Sequence, residues 1–539
     1  MNYYLSDTIG DEYKHWGQAK VFLNAPTGAG KTTLILQKLL PYYRKQGLKL
    51  LILCNRRMLN EQYEAALATM YETYSEYDNV EIQSYQHLAH ASEGEIQRIK
   101  DEFYGICLDE CHYFVQDSDF NPETYLLWKI ITETLFTKQM IFISATMDCM
   151  RPFINYFKEQ IYHNPLNVRK ASYENFIDDG RYAIEPDYSY FDLIGVPGDK
   201  TLCERIVSDG GKALIFINSR DGAKKLKSLL EDSGLQRGTV KILNADELDR
   251  QDELKNFLVY GEKFPDGTKV LITTSVLDNG VSLTDSDINS VTVFTTSETD
   301  FLQMIGRIRV GKDDSRRVKL YLVERTPAEF VLQKQCLKEE VNVIAECEKC
   351  LTKKSSKTLP LNFGEILQNT RQGEILRKIC YQTAQYNVIG SEQYLGTCRI
   401  FLNPMSVHKI KQNYHSVKAA YTASMRDSRY LPNQQAKWIG FTPSDIAWKA
   451  EETVEHKLRS FILDAMQKKI NNDKFREVKK NVVEICEQFK IGKKYGLRND
   501  RTPENAKFKK ICDDIGLEFS QKRENDQTWY TVSEKGGSL

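Results

Sequence analysis

Residues Ala25 to Thr33 read APTGAGKTT. A loop that wraps phosphate follows the pattern G-x-x-x-x-G-K-[ST]. Gly30, Lys31 and Thr32 match its end, Ala25 stands in place of the first glycine, and an extra glycine, Gly28, lies inside. The first glycine serves turn geometry, so a small residue can replace it. Before the loop, Val21 to Leu23 form a short apolar strand; after it, Leu34, Leu36, Leu39 and Leu40 recur at helical spacing. In a strand–turn–helix setting, backbone N–H groups and the helix N-terminus face phosphate oxygens. Lys31 then reaches the terminal phosphates and Thr32 supplies a Mg²⁺ ligand. The expected nucleotide contacts are Ala25, Pro26, Thr27, Gly28, Ala29, Gly30, Lys31, Thr32 and Thr33. The alternative is a chance strand-to-helix turn, and G-K-T-T at a helix start weighs against it.

The whole chain bounds the rest. It has 539 residues, which at about 150 per domain reads as three or four domains. Hydrophobic residues make up 41% and charged residues 27%, enough for a buried core. The formal net charge is zero, so no global positive field draws in nucleic acid and any such binding must use local patches. The apolar runs fall short of the roughly 18 residues that span a bilayer. The opening MNYYLSDTIGDEYKHW lacks the basic-then-apolar order of a signal peptide. Twelve cysteines, mostly inside apolar stretches, read as reduced, buried thiols of a cytoplasmic protein.

Residues 106–112 read ICLDECH, a short apolar strand ending on two acids. Asp109 can hold Mg²⁺, and Glu110 can polarise an attacking water. Two surface acids in a turn are the alternative, weakened by the strand before them and by their order after a phosphate loop.

With these stretches and SAT at Ser144–Thr146, the chain resembles superfamily 2 helicases, the DEAD/DExH-box group, in which alanine is common at the first loop position. ALIFINSRDGAKKL (213–226) looks like motif IV, LITTSVLDNGVSL (271–283) like motif V and FLQMIGRIRVG (301–311) like motif VI. The box spells D-E-C-H, which favours the DExH label. The resemblance covers roughly residues 1 to 330. It implies that His112, Ser144 and Thr146 couple nucleotide state to lobe movement. It implies that Gly280 and Ser282 lie near the nucleotide, and that Gln303, Arg307 and Arg309 approach the γ-phosphate from a second lobe. Thr274 and Asn218 would contact nucleic acid. So would Arg56 and Arg57, after a strand as in motif Ia, and more weakly Ser84, Tyr85 and Gln86. A solvated surface charge is the alternative for each arginine.

The chain departs from the family in places. Motif VI in many relatives is Q-x-x-G-R-x-G-R; here Val310 takes the last arginine's place and Arg309 comes one residue early, so either Arg309 or Arg307 alone acts as the finger, with Arg309 preferred. Ser275 replaces the aspartate of DEAD-box motif V. No glutamine motif for adenine precedes the loop; Tyr13 and Trp16 could stack on a base or sit in the core. ATP with Mg²⁺ is the expected nucleotide.

Apolar strands near 20–23, 49–54, 105–108 and 140–143 alternate with helices, and again at 213–217, 239–243, 269–274, 290–295 and 318–323. The expected fold is α/β: two tandem RecA-like P-loop lobes with parallel sheets, residues 1–165 and 201–330, joined by a hinge over 166–200. A mostly helical region, 331–470, follows. Cys347 and Cys350 there form a CxxC without a second pair, read as two buried thiols on one helix face rather than a metal site. Residues 471–539 read as helix, helix and hairpin around Asn525 and Asp526, in an order resembling a winged helix; a small packing domain is the equal alternative. Lys507, Lys509, Lys510, Lys522 and Arg523 are its candidate contacts.

The expected function is an ATP-dependent helicase or translocase, on DNA in preference to RNA, with no membrane partner. The alternatives are a duplex remodeller without strand separation and an ATP-gated nucleic-acid-binding clamp or regulator.

Overall fold

The computed structural model describes residues 4–26, 28–55, 63–64, 66–68, 78–121, 123–163, 176–178, 180–244, 263–274, 283–308, 310, 315–354, 359, 369–389, 392–448, 454–466, 468–488, 497, 502–524 and 527–534. Two compact units divide it, Met1–Ala447 and Trp448–Leu539.

The first unit holds two parallel sheets. Strands β1 (Lys20–Asn24), β2 (Lys49–Cys54), β3 (Val80–Ser84), β4 (Phe103–Leu108), β5 (Gln139–Ser144) and β6 (Phe176–Ile177) lie in the order β3-β2-β4-β5-β1-β6. Side chains alternate across a sheet, and here both faces are buried. Phe22, Leu51, Leu53, Ile106, Leu108 and Phe142 enter one core. Val21, Leu23, Leu50, Ile52, Cys107 and Ile141 enter the other. Helices on both faces explain why these strands read as continuous apolar runs. Tyr13 and Trp16 are core residues of the second face, with Trp16 Nε1 donating to the Tyr182 hydroxyl.

The second sheet comprises β7 (Phe191–Val196), β8 (Lys212–Ile217), β9 (Val240–Leu243), β10 (Val270–Thr273), β11 (Ile288–Phe294) and β12 (Val318–Val323). With the edge strand Ala447–Trp448 it follows the order edge-β7-β12-β11-β8-β10-β9. The stretch expected as hinge contains β6, paired to β1, and β7, paired to β12 over its full length. The two sheets with their helices make two RecA-like lobes.

The region after β12 is mostly helical, as expected. Helices Pro327–Lys354, Arg371–Ile379, Pro404–Ser424 and Tyr430–Trp438 are present, but a long antiparallel hairpin, Cys380–Ile389 against Glu392–Leu402, lies among them. On the first helix Cys347 is buried and Cys350 exposed, so the two thiols do not share one buried face. Among the described residues no group of three metal-ligating side chains occurs, and no described helix is long and apolar enough to cross a membrane.

Helix Pro404–Ser424 and the segment that follows it reach both lobes. Asn403 caps its start, accepting from the N–H groups of Met405 and Ser406, while its own Nδ2 donates to Thr124. Ser406 Oγ donates to the Ser118 carbonyl at 2.5 Å, and Lys409 pairs with Asp119 at 2.6 Å. Beyond its other end, Ser428 and Arg429 bond Glu324, and Gln435 Nε2 donates to the carbonyls of Val293 and Thr295.

The second unit has helices Val454–Met466, Asn472–Gln488 and Asn505–Asp514, then the hairpin Leu517–Glu524 and Gln527–Glu534. Phe475 stacks on Tyr530 at 4.0 Å, in a core with Phe508 and Val532. Lys507, Lys509, Lys510, Lys522 and Arg523 are exposed; Asn525 and Asp526 lie outside the described residues.

Candidate nucleotide and coupling site

The loop after β1 turns through Gly28 and Gly30, both left-handed, with φ of 88° and 78°. A side chain is strained in that region, which is why glycine is used. The Ala25 N–H donates to the Ser144 carbonyl of β5, and the Ala29 N–H to the Pro26 carbonyl. The helix then starts at Lys31 and continues to Lys45 through a π-helical stretch, Leu34–Leu39. Leu34, Leu36, Leu39 and Leu40 are all buried, as their spacing requires. Thr32 is exposed at the helix start. Thr27 lies outside the described residues.

Strand β4 delivers the acids. Asp109 and Glu110 follow Leu108, and the Asp109 N–H donates to the Leu53 carbonyl of β2. Glu110 has φ 51°, the sole positive value among described non-glycine residues. This turn aims its carboxylate at the loop, where Lys31 Nζ donates to Glu110 Oε1 at 2.6 Å; both side chains are 9% exposed. Burial acts to raise the Glu110 pKa, but Lys31, His112 and the charge of Arg307 hold it well below the usual carboxylate value. Asp109 is pushed up, by burial first and by the Glu110 charge second. Its Oδ2 accepts from the Tyr63 hydroxyl at 2.8 Å and its Oδ1 from the Glu110 N–H at 3.0 Å.

A chain of polar contacts leaves Glu110 and crosses to the second lobe. His112 Nδ1 lies 3.3 Å from Glu110 Oε2 and 3.0 Å from Ser144 Oγ. Ser144 Oγ accepts from the Thr146 N–H at 3.0 Å. Gln303 Nε2, on helix Glu298–Ile305 of the second lobe, donates to Thr146 Oγ1 at 3.1 Å. Arg307 follows that helix, 3% exposed, and its charge acts on Glu110. Arg309, Gly280 and Ser282 lie outside the described residues.

Of the expected nucleic-acid contacts, Tyr85 is corrected: it is fully buried, stacked on Tyr113 at 4.8 Å, with its hydroxyl donating to the Asp109 carbonyl. It supports the acidic turn from below and offers no surface. Ser84 caps helix Tyr85–Ala89, and Gln86 Nε2 donates to Asn55 at 3.5 Å. Asn218 is exposed after β8, and the Thr274 N–H donates to the Leu243 carbonyl. Arg56 and Arg57 lie outside the described residues. Tyr63 was not singled out by sequence, since a lone tyrosine carries no pattern.

Two RecA-like lobes in tandem, with a phosphate-type loop and acidic turn on one and a glutamine–arginine segment of the other bonded to it, define a helicase-type core. Residues 5–149 match the family "Type III restriction enzyme, res subunit", and residues 199–311 match the "Helicase conserved C-terminal domain". The two lobes are thus similar to the domains of superfamily 2 helicases. No curated protein matches it. Among solved structures it is similar to Saccharomyces cerevisiae Dbp5 bound to RNA and ADP BeF3, at 16% identity over 58% of this chain and 82% of that one, TM-score 0.38. The helicase Mss116 bound to single-stranded RNA and UDP-BeF matches at 13% identity over 81% and 84%, TM-score 0.43. Escherichia coli HrpB, a DEAH/RHA helicase, matches at 16% identity over 59% of this chain and 42% of that one, TM-score 0.37.

Proposed function

We propose that this chain is an ATP-hydrolysing motor on nucleic acid, a helicase or translocase, with DNA favoured over RNA as its track. The observation that carries the reading is the contact chain Glu110–His112–Ser144–Thr146–Gln303, which joins the hydrolytic carboxylate of one lobe to the other lobe. The family matched by the first lobe is named for a restriction enzyme, a class that acts on DNA, and this favours DNA.

In this reading the phosphates of ATP lie along residues 25–33 and compete with Glu110 for Lys31. Glu110, released from that pair and held ionised by its neighbours, orients and polarises the attacking water. Arg307 supplies positive charge from the second lobe, with Arg309 beside it in sequence, so hydrolysis depends on lobe closure. The residues fit Mg²⁺. The Thr32 hydroxyl and the Asp109 carboxylate are hard oxygen donors, and one or two of these with phosphates and water are what Mg²⁺ takes. When bound, Mg²⁺ neutralises developing charge on the phosphate oxygens. Asn218, Thr274 and the segments after β2 and β3 form the track contacts, with the exposed lysines of helix Asn505–Asp514 as a further contact of winged-helix type.

The test is ATP turnover alone and with single-stranded DNA, duplex DNA or single-stranded RNA at fixed salt, since salt alone shifts such binding by orders of magnitude. Stimulation by one polymer, lost in folded Lys31→Ala, is expected. Turnover indifferent to every polymer would overturn the motor and leave an ATPase, and nucleotide-gated binding without strand displacement would favour the clamp.

A further inference from the structure

Helix Glu298–Ile305, which brings Gln303 to Thr146, is held from outside its own lobe's motifs by helix Tyr430–Trp438. Strand β11 leads into it, and the pairing of β11 with β12 runs to Thr292. Past that point a side chain takes over. Gln435, 3% exposed, donates from Nε2 to the carbonyls of Val293 and Thr295, each at 3.2 Å. Carbonyls two residues apart in a strand face the same way, and one amide has two hydrogens to give. The bonds continue toward Gln303. Thr295 Oγ1 accepts from the Ser297 N–H at 3.0 Å, and Ser297 Oγ accepts from the Asp300 N–H at 3.3 Å, capping the helix. On the helix, Phe301 is fully buried, its ring 5.5 Å from that of Trp438.

The gripping helix is itself anchored. Just before it, Ser428 and Arg429 bond Glu324 at the end of β12, and the Ser428 carbonyl accepts from the Arg325 N–H at 3.0 Å. We infer that Gln435, seconded by Trp438, is a positioning residue that sets the junction between β11 and helix Glu298–Ile305 so that Gln303 reaches Thr146. This rests on the reading under Proposed function, in which the Gln303 contact couples hydrolysis to the second lobe. The contact has little slack. Gln303 Nε2 stands 3.1 Å from Thr146 Oγ1, and a further shift of about 0.5 Å takes such a pair out of hydrogen-bonding range. Without the Gln435 amide, two carbonyls at the junction lose their donor, and the junction relaxes toward other partners.

Gln435→Met keeps the length of the side chain and removes the donor. Lys378→Met, which breaks an ion pair with Glu340 elsewhere in the accessory region, is the control and should leave turnover unchanged. Three readouts on the full chain separate the outcomes: kcat at saturating ATP, the affinity for a non-hydrolysable ATP analogue, and the melting temperature. Gln435→Met is expected to lower kcat about fivefold, the scale of one neutral hydrogen bond, with analogue affinity unchanged. In a Gln303→Ala background the same substitution should cost nothing further, as two changes to one contact require. A merely structural role would lower kcat in both backgrounds alike. Trp438→Leu gives the second reading if Gln435→Met melts early. Undiminished kcat in the folded variants, or losses that multiply in the double variant, would overturn the inference alone. A wild type that turns over no ATP, with or without a polymer, would instead overturn the motor reading, and the positioning role with it.

Discussion

Glu110 is held by three cationic or hydrogen-bonding neighbours, Lys31, His112 and the more distant Arg307, in a place where water reaches little of it. A buried carboxylate that loses its partner costs about 3–5 kcal/mol, whereas removing both partners together costs less. Lys31→Ala is therefore expected to abolish turnover and to lower the melting temperature more than the double variant Lys31→Ala/Glu110→Gln does; a thermal melt of the pair checks this. Glu110→Gln alone should bind ATP more tightly than wild type, because the phosphates no longer compete with a carboxylate for Lys31. Its turnover should fall by on the order of 10²–10⁴. Equilibrium nucleotide binding and single-turnover kinetics measure the two effects. Lys20 offers a test by pH. Its amine donates to the carbonyls of Gln18 and Lys138, and burial pushes its pKa from 10.5 down to about 8. Below pH 8 the amine is protonated in both folded and unfolded chains, and the burial cost is fully present. Between 8 and 10.5 the unfolded chain binds a proton the folded chain has released, so stability rises with pH. Relative to Lys20→Met, wild type should gain up to ~1.4 kcal/mol per pH unit across that window, read from paired melts at either end. Lys31, Asp109, Glu110, His112, Ser144, Thr146 and Gln303 were all legible as residues, because each sits in a motif at fixed spacing. Tyr63 was not, because its role arises only when a side chain 46 positions away folds against it.

The elements of both sheets could be read because a parallel strand buried on two faces is a continuous apolar run. Strand β7 hid among turn residues, in a stretch that ends on Pro197 and Gly198. The hairpin Cys380–Leu402 hid because its alternation is broken: its register shifts between Gln385 and Tyr386, and polar and apolar residues fall on both faces. Helix Glu298–Ile305 was recognisable by motif, but its contact with Thr146 depends on how the lobes pack. Ser297 caps that helix, accepting from the Asp300 N–H, and so fixes where Gln303 points. Gln303→Ala is expected to slow turnover about fivefold, the scale of one neutral hydrogen bond of ~1 kcal/mol. ATP affinity should stay unchanged. Thr146→Val should match it, and the double variant should be no slower than either single one, as shared loss of one bond requires.

Across the molecule, helix Pro404–Ser424 and the residues just after it carry a connection between the lobes that no motif announces. Lys409 donates to the Gln116 carbonyl and Asp119 in the first lobe, and its charge also acts on the half-buried Asp300 of the second. Lys409→Met leaves both acids without that cation. It should cost about 1–3 kcal/mol, seen in the melting temperature, and should broaden the distribution of distances between spin labels placed on the two lobes. That arrangement stayed out of sight in the sequence because it joins Asp119, Asp300 and Lys409, which are far apart in the chain and share no spacing rule.

The same helix has 21 residues and so a length of roughly 30 Å. A flexible linker of equal contour could only stop the lobes from parting too far. A rod pinned near both ends also resists their coming too close, so it pushes as well as pulls. If the lobes open and close as proposed, they would swing about its two pins, with an arc set by the rod's length. Deleting two turns of it is expected to shorten the stroke of the proposed motor without altering any residue of the candidate nucleotide site.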